Sequence, residues 1–285
     1  MAEIHYPRNF TTKRQYPRFS CLLLTLLIYS LPFLTNASPV QGMIRVLKIE
    51  GQLTEAAMDG IPIQIQVGST LKQGSVIRTG ESSSVDLLFD NGAILEVRPN
   101  TEFSIERFVR DPFDAANTNY KNIPSEPSIS KTQIKIDTGT ILMGVKKLKS
   151  PSDFNIRTEV GTTGIRGTSL FVKYDKAQRE DGVIVGVAEG VVEFMTSSGS
   201  LKSISGGESF QITDSGSGAT FKPNPRKGSE LLLETLWIDS KIRESLPAHP
   251  FTSSRTPPAR GASAPLERQA PTPNQPGSSA SYSVE

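Results

Sequence analysis

Cysteine and histidine are almost absent from this chain: one Cys, Cys21, and two His, of which only His249 stands beyond residue 37. What that excludes depends on the N-terminus. A basic stretch ending at Arg18 precedes the apolar run CLLLTLLIYSLPFL and the small-residue site TNA, the order of an export signal cleaved after Ala37. A run of about 14 residues broken by Pro32 is short for a bilayer, which needs about 20. Cys21 opens the run instead of following it, which argues against a lipid attachment site, and it leaves with the signal. The mature chain is then expected to lack thiols and to keep one imidazole in a proline-rich tail. Disulfide frameworks, thiolate nucleophiles, Ser-His-Asp triads and zinc sites built on thiolate or imidazole lose their essential groups. A basic surplus is missing too. Of the formal charge of +2, the first 37 residues contribute +3 through Arg8, Lys13, Arg14 and Arg18 against Glu3, leaving −1 for the remainder. Phosphate neutralisation needs clustered cations, so nucleic acid is not an expected partner.

No strong helical period occurs before residue 228. Alternation with period two dominates instead, the signature of half-buried strands. In IPIQIQV, Ile61, Ile63, Ile65 and Val67 fall on one face opposite Pro62, Gln64 and Gln66. Val85, Leu87 and Phe89 share a face, as do Phe154, Ile156, Thr158 and Val160, while VIVGV is apolar throughout, as in a strand buried on both sides. Turn signals punctuate these runs at Asp90–Gly92, Ser197–Gly199 and Gly206–Gly207. The segments from Gly92 and from Gly199 align without a gap, Gly, Phe and Ile coinciding. The region 43–212 therefore reads as all-β, either solenoid-like or built of twin β-subdomains.

Between the halves, 107–131 is long, polar and proline-punctuated, an insert loop in which Phe108, Phe113 and Tyr120 argue for partial packing. The stretch 213–228 reads as a linker, and 229–246 as a helix capped by Ser229, with Leu232, Leu233, Leu236 and Trp237 on a common face. Docking of this helix in cis is the simpler expectation. Residues 247–285 are rich in Pro, Ser and Ala and are expected to be disordered.

The glycine triplet of VGTTGIRGTSLFV has neither the spacing of a phosphate loop nor a helix after it. It reads as a sharp corner between strands, at which Arg166 is expected to bridge carbonyls or a carboxylate, so that Arg166→Ala would lower the melting temperature. Glu50, Asp86, Asp90, Glu96, Asp137 and Glu189 are candidate carboxylates for sugar-bond chemistry by composition, and nothing in their spacing singles out a pair.

The order of four motifs resembles the FecR domain family over residues 45–212. Matching positions are Gly74, Thr79 and Gly80; Asn91 and Gly92; Arg166, Gly167 and Thr168, preceded by Gly161 and Gly164; and Glu189 and Gly190. The resemblance implies an extracytoplasmic β-domain, in that family often part of a relay between an outer-membrane receptor and a cytoplasmic sigma factor. A cytoplasmic anti-sigma segment and a membrane helix are not recognisable here. The expectation is a periplasmic or secreted, non-enzymatic scaffold or interaction module with no cofactor or metal. Its partner would be a protein or envelope polymer. A diverged relay sensor and a polysaccharide-acting enzyme are the alternatives.

Overall fold

The structure, a computed structural model, describes residues 38–51, 53–224 and 229–252. The expected export signal, residues 225–228, and the expected tail from 253 onward lie outside the described residues. The first half supplies β1 (Val40–Gln41), β2 (Ile44–Glu50), β3 (Leu53–Met58), β4 (Ile61–Pro62) and β5 (Thr70–Leu71). It continues with β6 (Ser75–Thr79), β7 (Ser84–Phe89), β8 (Ile94–Val97) and β9 (Glu102–Arg110). Beyond the insert come β10 (Ser130–Gly144), β11 (Asp153–Arg157), β12 (Gly161–Ile165), β13 (Ser169–Tyr174) and β14 (Val183–Glu189). The last strands are β15 (Val191–Thr196), β16 (Leu201–Ser205), β17 (Ser209–Asp214) and β18 (Ala219–Pro223), followed by α1 (Ser229–Glu244).

Two sheets share β10. One runs β4-β3-β6-β9-β10-β11-β12-β15-β16, with β1 beside the far end of β9. The other runs β5-β2-β7-β8-β10-β13-β14-β17-β18. All these pairings are antiparallel except β10 with β11. β10 passes from the first sheet to the second at Gly139, whose φ of +106° lies where glycine is favoured. The pairing pattern recurs. β3-β6-β9 and β2-β7-β8 in the first half correspond to β13-β14-β17 and β12-β15-β16 in the second, with the two sheets exchanged.

The alternating residues face one apolar core between the sheets, including Val85, Leu87, Phe89, Phe103, Ile105, Phe154, Ile156, Phe210 and Ile212. The outer face of the second sheet is apolar as well, and α1 covers it. Leu88, Ile94, Leu142 and Phe171 meet Ile238, Ile242 and Leu246 there, so the helix docks in cis. This accounts for the doubly buried patterns of β7, the C-terminal half of β10, and β14, since each residue faces one of two cores. Gly186 lies opposite Phe171 on β13, and an added Cβ would stand 2.1 Å from its ring. Glycine there opens the space the ring fills beneath the helix.

Several sequence expectations need correction. In IPIQIQV only Ile61–Pro62 is strand; Ile63 N–H still bonds Ala56 O at 2.8 Å, and Ile63 and Ile65 pack partly on the core, while Ile61 and Val67 are exposed. The insert is shorter than 107–131, since β9 runs to Arg110 and β10 starts at Ser130. Within it Ala115, Tyr120, Ile123 and Glu126 are buried. The stretch read as a linker holds β18, paired with β17. The helix ends at Glu244, and Pro250 and Phe251 of the expected tail are still packed, Phe251 with its ring 5.1 Å from that of Tyr120. The expected helix face is split: Leu232 packs partly on the second core with Leu231, Thr235, Ile238 and Ile242, whereas Leu233, Leu236 and Trp237 point to solvent. The Ser229 side chain, expected to cap the helix, lies outside the described residues.

Candidate functional site

Gly74, Thr79–Gly80, Arg166–Thr168 and Glu189–Gly190 stand where the chain changes sheet, Asn91–Gly92 turn a hairpin within one sheet, and Gly161 and Gly164 lie in β12. The expected three-glycine corner is narrower than the triplet: Gly161 and Gly164 are strand residues of β12, and only Gly167 turns the chain between β12 and β13. Gly167 has φ +123° and lies so close to Lys147 that a Cβ would be 2.9 Å from its Cα; at Gly161 a Cβ would meet Met195 O at 2.3 Å. Gly164 carries neither restriction: its φ is ordinary and a Cβ would make only contacts of 3.6 Å. The helix that a phosphate cradle would need does not follow; β13 does. Thr168 is buried, exchanges backbone hydrogen bonds with Val145 at 2.9 and 3.0 Å, and its hydroxyl donates to Val191 O at 3.1 Å. It thus ties this corner to β10 and to the β14–β15 corner. There Gly190, with φ +89°, lets its backbone approach Gly167 O, to which a Cβ would come within 2.7 Å. Glu189 beside it is exposed.

Arg166 departs from expectation. It is exposed and reaches a single carbonyl, Ser152 O, at 3.5 Å, with no carboxylate among its described partners. A contact of that length on the surface contributes little. Arg166→Ala and Gly164→Ala should therefore each move stability by no more than about 1 kcal/mol. Chemical denaturation of both variants beside Thr168→Val, which loses a hydrogen bond, checks this.

The other motif residues serve two further places. The hydroxyl of Thr79 donates to Arg98 O at 2.7 Å and accepts from Thr101 N–H, while Gly80 O accepts from Ser83 and Asn100 N–H, closing the β6–β7 connection onto the β8–β9 turn. Gly74 has φ +87°, with Asp59 lying where a Cβ would be. Asn91, in the β7–β8 turn, is buried; its amide donates to Ser130 and Thr132 at 3.2 and 3.3 Å and its carbonyl accepts from Ala93 N–H. Gly92 turns at φ +89°.

Three buried residues that no sequence pattern singled out complete this framework. Glu126 of the insert accepts from Ser130, from Lys149 N–H and from Ser152, fastening the loop to β10 and to the chain before β11. Arg110 donates to buried Asp90 at 2.7 Å. Burial pushes Asp90 up to about 6 although Arg110 opposes the shift. Arg243 of α1 donates to Tyr120 O and Gly92 O, each at 2.7 Å, and to Asp239. Burial alone would raise Asp239, but Arg243 and Lys146 hold its carboxyl below the usual range.

Of the candidate carboxylates, Asp86 and Glu96 stand directly opposite each other on β7 and β8. Both are buried near α1, and Lys241 of that helix bonds Glu96 at 3.1 Å. Burial, and then the charge of Glu96, push Asp86 up to about 6. Glu50 pairs with Lys48, and Asp137 with Lys135 at 2.5 Å. Because the folded pKa of Asp86 exceeds the ordinary carboxylate value of 3.8, the folded chain takes up its proton before the unfolded one does. The stabilisation is complete below about pH 4 and is lost as pH rises through about 6. Asp86→Asn should raise the melting temperature at pH 7 by a few degrees and flatten its fall between pH 5 and 7, as a calorimetric pH series would show.

An open cleft of about 520 Å³ separates these corners from α1, lined by Lys146, Lys147, Thr168, Glu189, Gly190 and Asp239 among others. It brings together the motif residues around Gly167 and Gly190; the Thr79 and Asn91 groups lie elsewhere. On the outer face of the first sheet, Met195 and Leu201 of β15 and β16 form an exposed apolar pair, with exposed Val191 further along β15 beyond Glu193. Leu201 pairs opposite Met195, and among the described residues β16 pairs only with β15.

Residues 75–193, from β6 into β15, match the family model described as FecR protein, a narrower span than the 45–212 over which the motif resemblance extends. Two crystal structures of a candidate anti-sigma factor from Parabacteroides distasonis are similar to the chain. The one at 2.50 Å has 14% identity and a TM-score of 0.39, covering 55% of this chain and 63% of that one. The one at 1.65 Å has 14% identity and a TM-score of 0.40, covering 59% and 74%. This chain thus spans less than two thirds of the first of these. No curated protein matches.

Proposed function

We propose, on the premise that residues 75–193 are a FecR domain, that this chain is a non-enzymatic interaction module working outside the cytoplasm at the cell envelope, and that it binds a protein. The observation that carries this reading is the use made of the buried polar residues. Asn91, Arg110, Glu126, Thr168 and Arg243 each join strands, insert or helix to one another. Chemistry needs polar groups turned toward a bound molecule, and these are turned toward the chain itself. Contact surface is available by comparison, above all at the exposed pair Met195 and Leu201 on β15 and the outer strand β16. A strand paired on one side can receive a partner's strand. The recurring strand pairings support two similar β-halves joined through β10 as the scaffold.

Proximity labelling in the native cell tests compartment and partner together. Envelope proteins recovered above background support the reading, and cytosolic neighbours alone overturn it. The family match also favours a second reading, a diverged sensor in a receptor-to-sigma-factor relay. That reading predicts altered transcription of envelope-stress or nutrient-uptake genes when the gene is deleted, and unchanged transcription removes it.

A further inference from the structure

The outer face of α1 is a separate surface to which the reading above gives no role. Leu233, Leu236 and Trp237 are 62, 45 and 65% exposed there. From Leu233 to Ser240 the spacing of three and four residues makes a seam of the kind one helix presents to another. The two ends of this seam are acidic, while the helix cations are engaged by the domain: Lys241, 59% exposed, reaches Glu96, and buried Arg243 reaches Asp239 and two carbonyls. Glu234 is held by Arg98. Glu230 and Glu244, at the two ends of the seam, are exposed and have no ion-pair partner among the described residues. Along the helix they are separated by about 21 Å at ~1.5 Å per residue. A second copy fits this face badly, because an antiparallel two-fold through Trp237 sets Glu230 of one copy against Glu244 of the other.

We propose that this face docks a basic amphipathic helix of a partner protein, with an apolar stripe seated on Leu233, Leu236 and Trp237 and Lys or Arg at both ends opposite Glu230 and Glu244. The proposal does not depend on the β15–β16 pair, and either can fail alone. Trp237 is the chain's single tryptophan, so its fluorescence reports on this surface directly. The probes are two synthetic helical peptides of matching length and identical apolar pattern, one Leu-Lys and one Leu-Glu. The Leu-Lys peptide should shift the emission to the blue, saturably, and bind at least about ten-fold more tightly than the Leu-Glu peptide, with affinity falling as salt rises. Glu230→Lys with Glu244→Lys should reverse the preference. Leu233→Asp should abolish both responses with an unchanged melting temperature, since the side chain faces outward. No shift, equal response to both peptides, or an unreversed preference in the charge-swapped variant would overturn the proposal. So would a blue shift without peptide that tracks dimerisation in sedimentation, which would assign the face to a second copy.

Discussion

Gly139→Ala should lower the melting temperature by about 10 °C, or leave too little folded protein to measure. The position is where β10 leaves one sheet for the other, at φ +106°, a conformation that costs an L-residue energy wherever it occurs. Space is also lacking: an added Cβ would stand 2.2 Å from Thr101 Oγ1 and 2.4 Å from its Cα. Thr101 cannot yield easily. Its N–H is bound by Thr79 Oγ1 at 3.0 Å, and its hydroxyl accepts from Thr140 N–H at 2.9 Å. Backbone strain and overpacking together are expected to cost on the order of 3 kcal/mol or more, and about 2–4 °C per kcal/mol is usual for a domain of this size. Gly164→Ala is the matched control, since it adds the same methyl group where neither φ nor neighbours object. Equal melting temperatures for the two variants would show that β10 does not turn at Gly139 as described.

Arg243→Met should loosen the helix selectively. The arginine is buried, and its guanidinium links α1 to the insert through Tyr120 O and to the β7–β8 turn through Gly92 O. Methionine keeps much of the volume but leaves two buried carbonyls unbonded, each costing about 1–3 kcal/mol. A loss of about 3 kcal/mol is the expected total. The distribution of the effect matters more than its size. Hydrogen exchange should quicken first in 229–246 and 111–129, with β7, β10 and β13 protected up to the global transition. Uniform loss of protection, or none, would mean that Arg243 is not what fastens the helix.

The strands of the main core were legible because each half-buried strand repeats every two residues. Val85, Leu87 and Phe89 illustrate this. The glycine triplet was legible in part: a strand and not a helix follows it, but Gly161 and Gly164 belong to β12 and only Gly167 makes the corner. IPIQIQV misled because alternation records a preference for extended backbone, not the presence of a neighbour, and the ladder with β3 continues past Pro62 by only one bond, Ile63 N–H to Ala56 O. The helix face was partly misassigned because hydrophobicity concentrates at 232–237, whereas the buried stripe is fixed by period and passes through Thr235. No pattern in the sequence marks Arg110, Glu126 and Arg243 as buried. Their partners arrive from distant parts of the chain, and only the assembled sheets bring them together. Arg166 erred in the other direction: a motif arginine expected to bridge backbone groups makes one long contact and faces solvent.

The motif residues are proposed to hold the fold together while recognition takes place on exposed strand surface. Comparing the proximity-labelled neighbours of Thr168→Val and Leu201→Asp, each beside its melting temperature, addresses it most directly. Thr168→Val should melt lower yet keep the wild-type neighbours at a permissive temperature, whereas Leu201→Asp should melt normally and lose them. Neighbours lost from a normally melting Thr168→Val, with Leu201→Asp indistinguishable from wild type, would contradict it.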